Sequence, residues 1–83
     1  MKLRYFAWVR ERIGIGEEEV ALPATVRKVS DLLAWLKTRG PEYEHALVEL
    51  KAIRVAIDQV HAPNDRDLSG AHEIALFPPM TGG

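Results

Sequence analysis

The sequence predicts an α+β fold in which one main helix packs across a mixed sheet of four to five strands. Three observations lead to this prediction. Segments near both ends alternate apolar and polar residues, as strands with one buried face do. A segment that starts near residue 30 repeats its apolar residues at helical spacing and is followed by helix-ending residues. Along the chain the order is strand, strand, helix, and then two or three further strands.

The first predicted strand spans residues 2–10, which alternate between an apolar face and a face rich in aromatic and basic residues. The inward face consists of Leu3, Tyr5, Ala7 and Val9, and the outward face of Arg4, Phe6, Trp8 and Arg10. Gly14 and Gly16 indicate a turn after this strand.

Residues 18–22 predict a second strand, with Val20 and Leu22 facing inward. Two strands joined by a short glycine-containing connection are typical of a hairpin. The acidic run Glu17-Glu18-Glu19 is interpreted as a solvated turn beside this strand.

The main helix is predicted over residues 30–39. Its apolar residues recur three and four positions apart, which places them on one face. These residues are Val29, Leu32, Leu33 and Leu36. Ser30 is predicted as the N-cap, with Asp31 at the positive end of the helix dipole. Gly40 and Pro41 are predicted to end the helix.

Residues 42–49 predict a second, short helix. Its inward residues are expected to be Tyr43, Leu47 and Leu50. The remaining strands are predicted over residues 52–57, 60–62 and 72–77. Their inward residues are Ile53, Val55, Ile57, Ile74 and Leu76, whereas Arg54 and Phe77 face outward.

The first and last strands are the most apolar, so we expect them to be neighbours at the centre of the sheet. A hairpin, a helix across the sheet and a return to the centre form the β-grasp arrangement of ubiquitin. Pro78-Pro79 ends the last strand because proline cannot donate to a sheet ladder. The predicted organisation is therefore a β-grasp domain over residues 1–78 and a flexible C-terminal tail over residues 79–83, ending in Gly-Gly.

Composition argues against several functions. The chain has 83 residues with 11 basic and 12 acidic side chains, so it lacks the basic excess typical of nucleic-acid binders. It has no cysteine, which excludes disulfides, thiolate nucleophiles and cysteine metal sites on this chain. Its three histidines lack metal-ligand spacing. With no membrane segment or signal peptide, we expect a cytoplasmic protein with no bound metal or cofactor.

The outward face of the sheet is the first candidate functional feature. Aromatic residues interleaved with arginines are enriched where proteins bind other proteins. The alternative is that a loop or the arginine stems cover the rings. The residues placed on this face are Arg4, Phe6, Trp8, Arg54 and Phe77.

The tail is the second feature, although a frayed end is the alternative interpretation. Pro78-Pro79 stiffens the exit from the sheet, and the chain from Pro78 to Gly83 can reach about 20 Å. Gly82-Gly83 has no Cβ and can thread a narrow channel. This shape suits the delivery of a C-terminal carboxylate into another protein's active site. Adenylation by ATP would activate the Gly83 carboxylate, and a sulfur donor could convert it to a thiocarboxylate.

The ending Phe77-Pro78-Pro79-Met80-Thr81-Gly82-Gly83 resembles the C-terminal signature of the small, sulfur-carrier subunits of molybdopterin synthase, the MoaD type. The segment Phe6-Ala7-Trp8-Val9-Arg10-Glu11 is similar to the family's Phe-Ala-x-x-Arg-Glu segment. The stretch Val55-Ala56-Ile57-Asp58-Gln59 resembles its third strand, where Asn is common in place of Asp58. The resemblance covers the whole chain.

This resemblance implies a sulfur carrier for molybdenum cofactor biosynthesis. Gly83 would be adenylated by a MoeB-type enzyme, with a transient acyl-adenylate and no bound cofactor, and would then carry a thiocarboxylate. Its tail would enter the large synthase subunit, in a heterotetramer of two small and two large subunits, and give sulfur to cyclic pyranopterin monophosphate. The large subunit would supply the catalytic side chains. Phe6, Arg10 and Phe77 match family interface positions; Trp8, Arg54 and the tail segment from Pro78 to Thr81 complete the expected partner-binding set.

Three other functions fit parts of the sequence. A thiamine-pathway carrier of the ThiS type shares the fold and the activation chemistry. A ubiquitin-like modifier would form adducts with lysines of other proteins. A β-grasp interaction module with an inert tail would keep its function without Gly83.

Overall fold

The computed structural model describes residues 1–79, and they build the predicted α+β architecture. The strands are β1 (Lys2–Tyr5), β2 (Glu17–Glu19), β3 (Arg54–Ile57), β4 (Val60–Ala62) and β5 (Glu73–Phe77). The helices are α1 (Ala7–Ile13), α2 (Val29–Lys37) and α3 (Pro41–Ala46), and a 3-10 turn covers Leu50–Ala52. The five strands form one mixed sheet in the order β2-β1-β5-β3-β4. Within the described part of the chain, no helix is long and apolar enough to span a membrane.

Strands β1 and β5 lie side by side at the centre of the sheet and run parallel. Leu3 is in register with Ile74, and Tyr5 with Leu76. All four side chains are at most 1% exposed, so the central pair supplies the middle of the core. The prediction that the first and last strands are central neighbours is confirmed.

The strand predicted over residues 2–10 is wrong beyond Tyr5. Phe6 is still extended, with φ −128° and ψ 156°, but α1 begins at Ala7. Ala7 takes a positive φ of 52° and is exposed, although the alternation placed it in the core. The chain therefore leaves the sheet after five residues and turns into a helix.

Val9 explains why the two structures are hard to separate in the sequence. It is buried as predicted, but its partner on the same face is Ile13, four positions further along α1. Gly14 ends this helix in the left-handed region, with φ 97°, and its N–H donates to the carbonyl of Arg10 at 2.8 Å. Gly14 is thus a helix cap, and β1 and β2 are joined by a helix instead of a short turn.

The second strand is shorter than predicted and starts one residue earlier. Strand β2 comprises Glu17–Glu19 and pairs antiparallel with β1. Val20 is buried and Leu22 half-buried, so their predicted inward orientation holds even though both lie beyond the strand.

The apolar face of α2 is as predicted, and its four residues are at most 3% exposed. The predicted N-cap at Ser30 is wrong, because the helix already includes Val29. Asp31 instead accepts the backbone N–H groups of Arg27 and Lys28, each at 3.1 Å. The Ser30 N–H donates to the carbonyl of Asn64 at 2.9 Å, so a distant loop satisfies the helix start.

Helix α3 packs below β2 and contributes Tyr43 and Ala46 to the core. Leu47 follows it and is fully buried, as predicted. Leu50 was predicted to face inward and is 40% exposed. It belongs to the 3-10 turn that leads into β3, and this turn rotates its side chain outward.

The tight turn between β3 and β4 is formed by Asp58 and Gln59, with φ values of 49° and 72°. The Asp58 carboxylate accepts the backbone N–H of Glu73 at 2.9 Å and that of His72 at 3.0 Å. These bonds hold the pKa of Asp58 below its ordinary value and tie the turn to the start of β5. The aspartate in place of the family's common asparagine therefore has a structural role here.

Candidate functional site: the open face and the tail root

The root of the tail lies at the end of the central strand β5. Phe77 is the last residue of the strand, and Pro78 and Pro79 follow it, both half-buried. The Phe6 N–H donates to the carbonyl of Leu76 at 3.1 Å, which extends the β1–β5 ladder to this end of the sheet. The chain therefore leaves the domain from a position fixed by the core on one side and by two prolines on the other.

Phe6 and Phe77 lie next to each other in the register at this end, on the side of the sheet away from the helices. Tyr5 is in register with Leu76, so the following residues, Phe6 and Phe77, continue side by side. Phe6 is 38% exposed, and the guanidinium of Arg4 lies 5.2 Å from the centre of its ring. We call this solvent-facing side of the sheet the open face; it comprises Arg4, Phe6, Arg54, His61 and Phe77.

Two further side chains flank Phe77. Arg54 is its register partner across the β3–β5 ladder. The His61 ring, on β4, stands edge-on to Phe77, with the ring centres 5.4 Å apart and the planes at 80°. Sequence analysis assigned no role to His61, although its position in the alternating segment of residues 60–62 was a usable signal.

Trp8 and Arg10 do not lie on the open face, so their predicted place in the first strand is wrong. Both belong to α1: Trp8 is half-buried against the core, and Arg10 is exposed. The guanidinium of Arg12 lies over the Trp8 ring, 4.4 Å from its centre. The physical reason is the change from strand to helix at Ala7, which ends the alternation that placed these residues with Phe6.

The predicted reacting residues, Gly82 and Gly83, lie outside the described residues, together with Met80 and Thr81. The described part of the tail is Pro78-Pro79. Its geometry bears on how the tail is presented, through the fixed end of β5, and on which side chains surround that end.

A polar cluster that sequence analysis missed ties three elements together on the helix side of the sheet. Glu18, on β2, accepts the hydroxyl of Tyr5 at 2.6 Å and that of Tyr43 at 2.8 Å. The guanidinium of Arg39 donates to its other oxygen at 2.9 Å. Glu18 is therefore a clamp between β1, β2 and the α2–α3 region, and the solvated turn predicted for Glu17-Glu18-Glu19 is wrong for this residue.

The electrostatics of the clamp follow from its hydrogen bonds. Burial alone would raise the pKa of Glu18, but donation from Tyr5, Arg39 and Tyr43 holds it below the ordinary value. Burial and the Glu18 carboxylate raise the pKa of Tyr43 to about 12 and also raise that of Tyr5. The carboxylate is ionised and both phenols are protonated near neutral pH, so this cluster holds the fold together and offers no proton to a substrate.

The arrangement suits binding more than catalysis. Among residues 1–79, no three histidine, aspartate or glutamate side chains come together as metal ligands. The open face instead offers two aromatic rings with arginines beside them at the point where the tail departs. A partner that receives the tail must approach this end of the sheet.

A five-stranded mixed sheet with parallel central strands and a helix across it is the ubiquitin-like β-grasp fold. A model of the ThiS family matches residues 3–83, so the chain belongs to the ThiS family. The matched region includes the open face and the whole tail.

Individual relatives cover the chain from end to end. The chain is 34% identical over 83 residues to the molybdopterin synthase sulfur carrier subunit of Escherichia coli (strain K12), covering 100% of this chain and 99% of that protein. The protein of the same name from Haemophilus influenzae is 33% identical over 87 residues, again covering 100% of this chain and 99% of the relative. Among solved structures, a candidate molybdopterin converting factor, subunit 1, from Pyrococcus furiosus has a TM-score of 0.76 at 27% identity, with 95% of each chain covered.

Proposed function

We propose that this protein is a sulfur carrier in molybdenum cofactor biosynthesis and the small subunit of a molybdopterin synthase. The observation that carries the proposal is the end-to-end likeness to two molybdopterin synthase sulfur carrier subunits, which extends through the C-terminal Gly-Gly. The fold supports it, because β5 presents the tail from a fixed position beside an aromatic surface.

The chemistry takes place at the carboxyl carbon of Gly83. Its carboxylate attacks the α-phosphorus of ATP and releases pyrophosphate, which forms a transient acyl-adenylate. A sulfide equivalent then attacks the acyl carbon; a C–S bond forms, the C–O bond to AMP breaks, and a thiocarboxylate remains. The sulfur then passes to cyclic pyranopterin monophosphate, and water restores the carboxylate. The chain contributes the acyl group and the docking surface, whereas the partners contribute the catalytic side chains.

Two proteins would bind this carrier in turn. A MoeB-type adenylating enzyme would activate Gly83, and the large synthase subunit would receive the charged tail, in a heterotetramer of two small and two large subunits. Both must surround the tail root, so the open face is the surface they would share. Aromatic residues beside arginines are the side chains that most often anchor such interfaces.

The test is the intact mass of the carrier after incubation with ATP, a MoeB-type enzyme and sulfide. We expect the increase that corresponds to one oxygen replaced by sulfur, located at Gly83 by fragmentation. The charged carrier should then form molybdopterin from cyclic pyranopterin monophosphate when the large subunit is added. A chain that lacks only Gly83 is the matched control and should show neither result.

Other outcomes would contradict the proposal in recognisable ways. Molybdopterin formation at the normal rate by the chain without Gly83 would exclude the carrier chemistry. Adducts on lysines of other proteins, with no transfer to the pterin, would indicate a protein modifier. Transfer of sulfur to a thiazole precursor alone would indicate the thiamine pathway.

A further inference from the structure

A groove of about 270 Å³ lies between the 3-10 turn and the β3–β4 hairpin. Polar and basic side chains form its rim, and the flanks of β3 form its apolar floor. The rim consists of Lys51, Arg54, His61 and Asn64, and the floor includes Ile53 and Val55. We call it the basic groove.

The groove carries uncompensated positive charge. Its lining residues include Lys51 and Arg54 but no carboxylate. In the part of the chain that the structure describes, neither cation forms an ion pair, whereas Arg4 pairs with Glu73 and Arg39 with Glu18. The Arg54 guanidinium donates to the Lys51 carbonyl at 2.8 Å, which orients it beside Lys51. Two cations are therefore held together where an external anion can reach them.

The basic groove is continuous with the open face. Arg54 is in register with Phe77, and the His61 ring stands against the Phe77 ring. Both residues therefore belong to the groove and to the surroundings of the tail root. A protein that covers Phe77 also covers the groove and desolvates its cations, which is costly unless that protein supplies a negative charge.

The dimensions favour a side chain over a small molecule. Pockets for small-molecule ligands usually measure roughly 300–1,000 Å³ and are largely apolar. The basic groove is smaller, has a charged rim and is open to solvent on the partner side. An aspartate or glutamate fits its chemistry, with methylenes on the floor and the carboxylate between Lys51 and Arg54.

We infer that the basic groove receives an acidic side chain of the large synthase subunit and thereby selects the cognate partner. This inference rests on the proposed function. It adds to it the chemical class of the contact, because the aromatic rings alone would accept any apolar surface. Charge complementarity beside such an anchor sets specificity and association rate.

The test is a calorimetric titration of the full-length carrier against the large subunit, with charge reversals at two lysines. Lys51→Glu should weaken the affinity about tenfold or more, and Lys51→Gln should weaken it less. Lys37→Glu, on α2 across the sheet from the open face, is the matched control with the same change in net charge, and its affinity should stay within about twofold of the original. The loss caused by Lys51→Glu should also shrink as salt is raised.

The outcomes separate this inference from the proposed function. If the unsubstituted carrier gains sulfur and binds the large subunit, but Lys51→Glu binds as tightly as Lys37→Glu, the groove inference is wrong and the function stands. If the unsubstituted carrier neither gains sulfur nor binds, both fail. If Lys51→Glu shifts the NMR signal of the Gly83 amide in the free protein, the groove holds the chain's own carboxylate, which would also overturn the inference.

Discussion

Replacing Glu18 by glutamine should lower the free energy of unfolding by about 1–3 kcal/mol, because the change removes a charge and keeps the shape. The carboxylate accepts three hydrogen bonds of 2.6–2.9 Å, and bonds to a charged group are worth roughly 1.5–3 kcal/mol each. The amide oxygen can replace some of this, but its NH2 group must face at least one of the three donors. Solvent reduces the remainder, since the Arg39 side chain is 30% exposed. A chain of this length has a total stability of about 4–12 kcal/mol, so the loss is a large fraction.

The effect should depend on pH in one direction. The pKa of Glu18 in the folded protein lies below its ordinary 4.5, so its contribution is fully present above that pH. It is lost as the pH falls from there through the lower folded value, because the carboxylate then takes up a proton in the folded state as well. The difference in stability between the original protein and Glu18→Gln should therefore be constant from neutral pH down to about 4.5 and shrink below it.

Urea denaturation followed by circular dichroism, at neutral and acidic pH, measures both effects. Glu17→Gln is the matched control, since Glu17 is exposed and its nearest cation, Lys2, is 3.7 Å away; its effect should stay below about 0.5 kcal/mol. A loss as small as the control's in Glu18→Gln, or a difference that stays unchanged in acid, would show that the cluster does not clamp the fold.

Three further predictions concern the core, the open face and the tail. Leu36→Ala should destabilise the fold by roughly 2–5 kcal/mol, because the side chain is fully buried between α2 and the sheet; a urea-denaturation loss below about 1 kcal/mol would contradict this packing. Phe77→Ala should weaken binding to both the large subunit and the activating enzyme by roughly 2 kcal/mol or more in calorimetry, with a smaller effect on folding, and unchanged affinity for both would refute the role of the open face. Deletion of Gly83 should leave the circular dichroism spectrum and the urea midpoint unchanged, because the described contacts of the core involve other residues, while molybdopterin formation is lost; retained formation would refute the carrier mechanism.

Much of the fold is predictable because it depends on local spacing. Alternation identifies Leu3 and Tyr5 in β1 and Ile74 and Leu76 in β5 as core residues, and helical spacing identifies the buried face of α2. The same alternation places Phe6 and Phe77 together outside the core. These assignments hold because burial of one face is the main constraint on a strand or helix in so small a domain.

The failures have a common physical cause. Residues 7–13 fit a strand and a helix equally well by apolar spacing, and only the packing of Val9 and Ile13 against the core decides for the helix. The start of α2 depends on carbonyls of the distant loop at residues 63–66, which no local pattern reveals. Local spacing thus identifies an element's apolar face but not where a competing element replaces it.

The sequence by itself determined the order of the strands and the main helix, the core faces, the aromatic pair and the Gly-Gly tail, because each depends on residues close together in the chain. Only the tertiary structure decided the parallel pairing of β1 with β5, the clamp around Glu18 and the basic groove beside Phe77. Each of these joins residues from distant segments. Their energies come from burial and from charges held a few ångströms apart, and those distances exist only once the chain has folded.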